Sequence, residues 1–418
     1  MSQPDQTGVV RFLEGPMAYT PAPPCVERLE THGALVFLAG DVALKIKKSL
    51  RFSYMDFSTL ELRRRACLRE LEINRPHAPD IYLDVVAITR EVGDRLAIGG
   101  RGEPVEWCVR MRRFAQSDLL SAKAEAGELD PGLCHRLAEA VLAYHRTAPR
   151  IAVADSGDRL ARIADDICRQ LLAHAPSLGS ADVDRLGEQL RRHLLMTKPI
   201  LSMRDRNGFV RRVHGDLHLG NIVLWKGAPV LFDAIEFDEE IATIDTLYDL
   251  AFLLMDLDHR GQRPAANRIL NHYLWRSDDV ADLEALAAMP LFLALRAGVR
   301  SMVLAQRAQQ EKAAPRQDDL ARARRYLLRA IEYLAPVEPI LVAVGGLSGT
   351  GKSTLAARLA PKLGAAPGAL HLRSDLERKA LFGAAETEPL PAAAYSPEAG
   401  ARVYATLTQK AGLLISRR

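Results

Sequence analysis

No two of the five cysteines (Cys25, Cys67, Cys108, Cys134, Cys168) stand in a C-x-x-C spacing, and their number is odd. This excludes a disulfide framework and a cysteine-based zinc site, and it suits reduced thiols in a cytoplasm. A strong charge of one sign is also missing. Lys and Arg number 56 against 52 Asp and Glu, a net +4 over 418 residues, and the basic residues are scattered. Such a balance makes no case for a nucleic-acid partner. The N-terminus, MSQPDQTGVVRFLEG, lacks the basic flank and apolar centre of a signal peptide. The most apolar stretch, 285–305, is broken by Pro290, Arg296 and Arg300. Burying such a charge in a bilayer costs roughly 2.5–3.5 kcal/mol, so the stretch reads as core helix and no membrane span is expected.

What is present is an ordinary globular composition, 48% apolar and 26% charged, at a length that implies two or three domains. Gly33-Ala-Leu-Val-Phe-Leu-Ala-Gly40-Asp41 runs into Val42-Ala43-Leu44-Lys45-Ile46-Lys47, a hairpin pattern turning at Gly40-Asp41. Helical spacing follows over 58–75, with Ser58 as the expected N-cap and Pro76 and Pro79 as the stop. Strands are expected at 81–89 and 105–111. After Phe114 helical periodicity takes over, at 131–144, 160–195 and from 246 onward, around a β-rich island at 213–237. A small β-rich lobe followed by a larger helical lobe is an α+β organisation. A charged stretch ending at Pro336 and Pro339 marks a boundary, so the expected domains are 1–113, 114–335 and 336–418. Past it, Ile340-Leu-Val-Ala-Val-Gly345 is an apolar run suited to a buried parallel strand.

Gly346-Leu-Ser-Gly349-Thr350-Gly351-Lys352-Ser353 fits G-x-x-x-x-G-K-[ST] at every fixed position. Glycines let the backbone curl until its N–H groups face a phosphate, and the helix that starts next adds the positive end of its dipole. Gly346, Gly349, Thr350, Gly351, Lys352, Ser353 and Thr354 are therefore the expected ATP-binding residues. Lys352 would reach the β/γ-phosphates and Ser353 would ligate Mg²⁺. A chance match in a glycine-rich turn is the bland alternative. The strand pattern before the loop and the helical pattern at 354–363 tell against it. Further on, an apolar segment at 369–373 leads to Ser374-Asp375. Asp375 either takes a proton from an acceptor hydroxyl or serves, like Ser374, as a helix N-cap. Few residues follow, and no later apolar run ends in Asp, so this P-loop module is expected to be short or truncated.

The densest cluster is His214-Gly215-Asp216-Leu217-His218-Leu219-Gly220-Asn221. Ile222-Val-Leu-Trp225, a turn at Lys226-Gly227 and Pro229-Val-Leu-Phe-Asp233 follow it. Two short strands with a tight turn bring Asp216, Asn221 and Asp233 together, an arrangement suited to phosphoryl transfer. One Asp takes the acceptor's proton, while Asn and a second Asp hold the metal on the phosphates. Lys45, in a V-A-L-K run close to V-A-I-K, completes the set. His214 and His218 are four apart, but Gly215 and Gly220 argue for a loop rather than a zinc-binding helix. Taken alone, Asp216 reads as a turn residue and Lys45 as a solvated strand lysine; their order along the chain argues for a site.

These motifs give the chain a family likeness. Residues 30–335 resemble the aminoglycoside phosphotransferase-like branch of the protein-kinase-like fold, whose catalytic loop reads H-G-D-x-x-x-x-N. The whole layout resembles bacterial bifunctional aminoglycoside phosphotransferase/ATP-binding proteins, or AAA family ATPases, in which that domain precedes a P-loop kinase-like domain. The most specific part is 213–258, with Phe232-Asp233-Ala-Ile-Glu-Phe237 and Tyr248-Asp249-Leu-Ala251. The resemblance implies an α+β protein-kinase-like bilobal domain followed by an α/β P-loop module. It makes Asp216 the catalytic base, His214 a brace for the loop, Asn221 and Asp233 Mg²⁺ ligands, and Lys45 the α/β-phosphate ligand. Glu70 or Glu72 pairs with Lys45, Asp249 anchors the catalytic loop, and a hinge falls near 109–113.

G-x-G-x-x-G is absent, and only Thr31-His32-Gly33 stands where that loop would lie, which fits the small-molecule branch. Asp375 in S-D-x-x-R-K resembles the hydroxyl-activating aspartate of P-loop kinases. The expected function is an ATP- and Mg²⁺-dependent kinase acting on a hydroxyl of a small molecule. The alternative is a nucleotide-binding regulatory or scaffold protein. Asp238-Glu239-Glu240 is either an acidic acceptor site or a solvated turn.

Overall fold

Period-two alternation in the first third of the chain builds a sheet. In the computed structural model, which describes residues 6–31, 33–51, 55–152, 155–310, 313–347 and 349–416, six strands make it up. They are β1 (Val26–Glu30), β2 (Ala34–Ala39), β3 (Val42–Lys47), β4 (Tyr82–Arg90), β5 (Leu96–Ile98) and β6 (Glu103–Arg112). Their order is β1-β2-β3-β6-β4-β5, and every neighbouring pair is antiparallel. His32, from the segment expected over the phosphates, and Ser348, from the phosphate loop, fall outside the described residues.

The β2–β3 hairpin turns at Gly40, whose φ of 55° is costly for a residue with a Cβ. Leu44 and Ile46 point to one face of β3 and join Phe37, Ile88 and Cys108 in a core. Helix α1 (Thr7–Glu14), which the sequence reading did not anticipate, covers that core with Val9 and Leu13. Burying each such side chain stabilises the fold by roughly 1.5–3 kcal/mol. Lys45 and Lys47, by the same alternation, share the opposite face with Ala43.

Helix α2 (Leu60–Asn74) packs on that second face. Its N-cap is Thr59, whose hydroxyl accepts from Leu62 N at 3.2 Å, and not Ser58. Ser58 is engaged instead by the Asp56 carboxylate at 2.6 Å. This sheet, α2 and the hairpin Ile222–Trp225/Ala228–Leu231 belong to one unit: Met1–Gly127, Thr147–Pro149 and Arg212–Ile244. The segment expected as a hinge is sheet as far as Arg112.

The second unit, Glu128–Arg146, Arg150–Arg211 and Asp245–Arg418, is built of helices. Helix Thr246–His259 lies at its centre, with every residue from Thr246 to Asp258 buried. The periodic stretch 160–195 is divided between Ser156–Leu172 and Ser180–Arg206, with Gly179 at φ 94° between them. Arg204 is fully buried and neutralised by Asp245 (2.5 and 2.9 Å) and Asp282 (2.9 Å).

At 340–345 the expectation of a buried strand fails. The segment forms no strand, and Ile340, Leu341 and Val342 are 58%, 68% and 50% exposed. A parallel strand is held by its neighbours on the ladder. Among the described residues none pairs with this run, and 369–373 is no strand either. Ala369 and His371 are held by side chains instead. Ala369 O accepts from Asn267 Nδ2 (3.0 Å) and Asn271 Nδ2 (3.3 Å), and His371 N donates to Asn271 Oδ1 (2.6 Å). No helix among the described residues is long and apolar enough to cross a membrane.

Candidate active site

Strand β3 puts two lysines on one face, and three acids meet them. Lys45 Nζ donates to Glu70 Oε1 at 2.9 Å and to Asp233 Oδ1 at 2.5 Å. Lys47 Nζ donates to Glu70 Oε2 at 2.6 Å and also pairs with Glu236. Glu70 is fully buried, whereas Glu72 is exposed and pairs with Arg69 at 2.8 Å. The choice between the two acids therefore falls on Glu70. Burial alone would push the Glu70 carboxyl up, but the two ammonium groups outweigh it and hold the carboxyl at about 2. Lys45 is shifted the opposite way: Asp233 and Glu70 outweigh its burial and raise it well above the usual lysine range.

The acids come from elements that are themselves pinned. Arg63 on α2 is buried against Glu106 of β6 at 2.9 Å, and Gln6 Nε2 donates to Glu106 Oε2 at 2.7 Å. Asp233 has φ 61°, and its backbone N–H donates to the Tyr82 hydroxyl oxygen at 3.1 Å. Asn74 Oδ1 accepts from Ala234 N at 2.8 Å. Hairpin register explains why Asn221 and Asp233 share one end: Ile222 faces Leu231, and Phe232 N donates to Asn221 O at 3.0 Å.

In the glycine-bracketed loop, the buried His214 ring bonds through Nε2 to Phe232 O at 2.9 Å, and Ile235 N donates to His214 O at 3.0 Å. Gly215 has φ 81°, and a Cβ there would meet Ile235 at 3.1 Å and Ala242 Cα at 3.3 Å, so only glycine fits. Asn221 Nδ2 donates to Asp216 O and Asp216 Oδ2, both at 3.0 Å, and His218 Nε2 stands 3.4 Å from Asp216 Oδ2. The structure thus gathers Lys45, Glu70 and Asp233 in one cluster and Asp216, His214 and Asn221 in the adjoining loop. Lys47 and Glu236 were missed. The sequence signals they carry are the i, i+2 spacing of Lys47 from Lys45 and the place of Glu236 in Phe232-Asp233-Ala-Ile-Glu-Phe237. Asp249 has His145 (3.2 Å) and Arg296 (3.8 Å) among its partners. Asp238 caps the short helix Glu239–Ala242, and Glu239 pairs with Arg69 (2.6 Å) and Arg212 (3.3 Å), so two of the three acids in the run have structural partners.

In the P-loop, Gly346, Gly349 and Gly351 all have positive φ (150°, 78° and 82°), and helix Lys352–Leu359 begins directly after them. Lys352 Nζ donates to Leu347 O at 2.5 Å, and Thr350 Oγ1 donates to the same oxygen at 2.7 Å. Ser353 and Thr354 occupy the first turn, and Ser353 lines a cavity of about 190 Å³ together with Trp275, His371 and Arg373. Asp375 is not an N-cap: helix Ser374–Leu381 starts before it and its cap position is Arg373. Arg373 binds the Asp375 carboxylate at 3.2 and 2.5 Å. Burial would raise this carboxyl, but Arg373 holds it below its usual range.

Comparison with known proteins places the chain. A family model described as "Phosphotransferase enzyme family" matches residues 109–289, and one described as "AAA domain" matches 341–418. Uncharacterized proteins of Mycobacterium tuberculosis and Mycobacterium bovis are 33% identical over 400 residues, covering 94% of this chain and 76% of each relative. Solved structures of similar backbone include a choline/ethanolamine kinase family protein from Mesorhizobium loti. It shares 17% identity at TM-score 0.43, over 78% of this chain and 97% of that one. Another is the GDP complex of aminoglycoside 2'-phosphotransferase-IIIa, with 14% identity and TM-score 0.44, over 74% and 93%. The chain belongs to the phosphotransferase enzyme family, in the form that carries a P-loop kinase-like AAA domain after the phosphotransferase domain. It is an enzyme of the kinase type with an α+β protein-kinase-like fold.

Proposed function

We propose that this chain transfers the γ-phosphoryl group of ATP, with Mg²⁺, to a hydroxyl of a small molecule, and binds a second nucleotide at its P-loop. The observation that carries this reading is Lys45. One buried ammonium is paired at once with Glu70, 25 residues away in sequence, and with Asp233, 188 residues away. Burying charge at this cost is characteristic of a site that must hold a ligand in one geometry.

Lys45 is assigned the α/β-phosphates, and Glu70 keeps it in place. Asp233 and Asn221 are assigned Mg²⁺. One carboxylate and one amide oxygen suit that ion, which keeps several waters and takes its remaining ligands from phosphates. When bound, the ion neutralises the charge between the phosphates. Asp216 takes the hydroxyl proton as the acceptor oxygen bonds to phosphorus and the bond to ADP breaks. The 3.0 Å bond from Asn221 Nδ2 fixes one of its oxygens for that task. His214 braces the loop from beneath.

In the second module Gly346, Gly349, Thr350, Gly351, Lys352, Ser353 and Thr354 are assigned nucleotide, with Ser353 also on Mg²⁺. Asp375, held ionised by Arg373, is assigned the base. The proposed division is a lobe at 1–113, a helical lobe at 114–335 and the P-loop module at 336–418, working in the cytoplasm. Incubation of the full chain with radiolabelled ATP and a panel of hydroxyl acceptors tests the reading. Asp216→Ala should abolish the labelled product while ATP still binds. A variant that transfers as well as the parent chain sinks the assignment.

A further inference from the structure

The catalytic reading uses Lys45, Glu70 and Asp233, and leaves a second buried ion pair without a task. Lys47 lies two residues beyond Lys45 on the same face of β3, with its side chain 3% exposed. It reaches the far oxygen of the same Glu70 at 2.6 Å and pairs with Glu236, whose side chain is 5% exposed. The Phe57 ring lies 5.5 Å from its ammonium. Two ammonium groups are therefore enclosed with three carboxylates.

The charges separate unevenly by exposure. Lys45, Lys47, Glu70 and Glu236 are all at most 8% exposed and balance one another, two against two. Asp233 is the surplus acid, and it is 34% exposed. A buried set that already balances does not need Asp233 as a counter-ion, which leaves that carboxylate free to turn to a dication.

We propose that Glu236 is a positioning residue: it supplies the counter-charge that Lys45, Lys47 and Glu70 lack between them, so that Asp233 is released to Mg²⁺ when nucleotide binds. This rests on the nucleotide site proposed above. Without Glu236 the buried set carries an excess positive charge, and Asp233 becomes its counter-ion.

The test measures ATP affinity by calorimetry, with Mg²⁺ and with EDTA, in full-length chain carrying Lys352→Ala to silence the P-loop. Glu236→Gln should lower the Mg²⁺-dependent gain in affinity roughly 10- to 100-fold, the range expected when a neighbouring charge is lost. The EDTA affinity should persist and mark the variant as folded. Lys47→Met/Glu236→Gln, which rebalances the set, should recover most of the gain, and Lys47→Met alone should keep it. A double variant as weak as Glu236→Gln, or a loss in Lys47→Met, overturns the proposal, because a merely structural pair gives that pattern. Full Mg²⁺ gain in Asp233→Asn, or unchanged ATP affinity in Lys45→Met, overturns the site reading itself.

Discussion

Two lysines in this chain are assigned to phosphate, and they are held in opposite ways. Lys45 sits in a strand with neighbours on both sides, buried, with carboxylates from a helix and from a distant loop on its ammonium. Lys352 opens a helix of eight residues, none of them buried, and its ammonium donates to a backbone carbonyl of its own loop. The first position is fixed by long-range contacts before any ligand arrives. The second is fixed locally, by glycine conformations and a helix start. A phosphate loop needs only backbone N–H groups and a dipole, both of which travel with a short piece of chain. A site that must align a base, a metal and a phosphate ligand requires a scaffold.

That contrast can be broken most sharply by chemistry. Asp216→Asn should lower phosphoryl transfer about 10²–10⁴-fold, the usual worth of a general base, while Asp375→Asn leaves that product unchanged. Equal losses in the two variants, measured as labelled product, would mean that the sites do not act separately. Stability gives the next largest difference. Lys45→Met leaves Glu70 and its neighbours short of a cation and should cost about 3–5 kcal/mol in denaturant unfolding. Lys352→Ala, at a partly exposed helix start, should stay within about 0.5 kcal/mol.

Acid sharpens the comparison further. Glu70 is held at about 2 against an ordinary 4.5, so its contribution is complete above the ordinary value and is lost as pH falls toward the folded one. Glu236, which burial pushes up, acts in the opposite sense. Unfolding midpoints between those two pH values should therefore fall less steeply in Glu70→Gln than in the parent chain. The smallest effect is expected two residues along the helix: Glu72→Gln, exposed and ion-paired with Arg69, should change stability by less than about 0.5 kcal/mol.

Much of the first unit was legible in the sequence because its signals are local. Alternation gave the β2–β3 hairpin, and glycine brackets gave the loop around Asp216. Lys47 and Glu236 were not legible, because nothing in either residue's neighbourhood reports a partner 189 positions away. A lysine in a strand reads as solvated until burial is known. The apolar run at 340–345 misled for the converse reason: a hydrophobic pattern specifies a strand only when a neighbour completes its ladder. Thr59 in place of Ser58 is a one-residue matter, decided by which hydroxyl reaches the first free N–H.

Asn267 and Asn271 suggest how a module can be attached without a sheet. Four residues apart on one helix, they present two primary amides to Ala369 and His371, each amide carrying the donor and acceptor that a peptide unit would offer. The helix thereby imitates the edge of a missing neighbour strand. Because the imitation resides in two side chains, the strength of the attachment can drift by point substitution while the phosphate loop beyond it stays untouched.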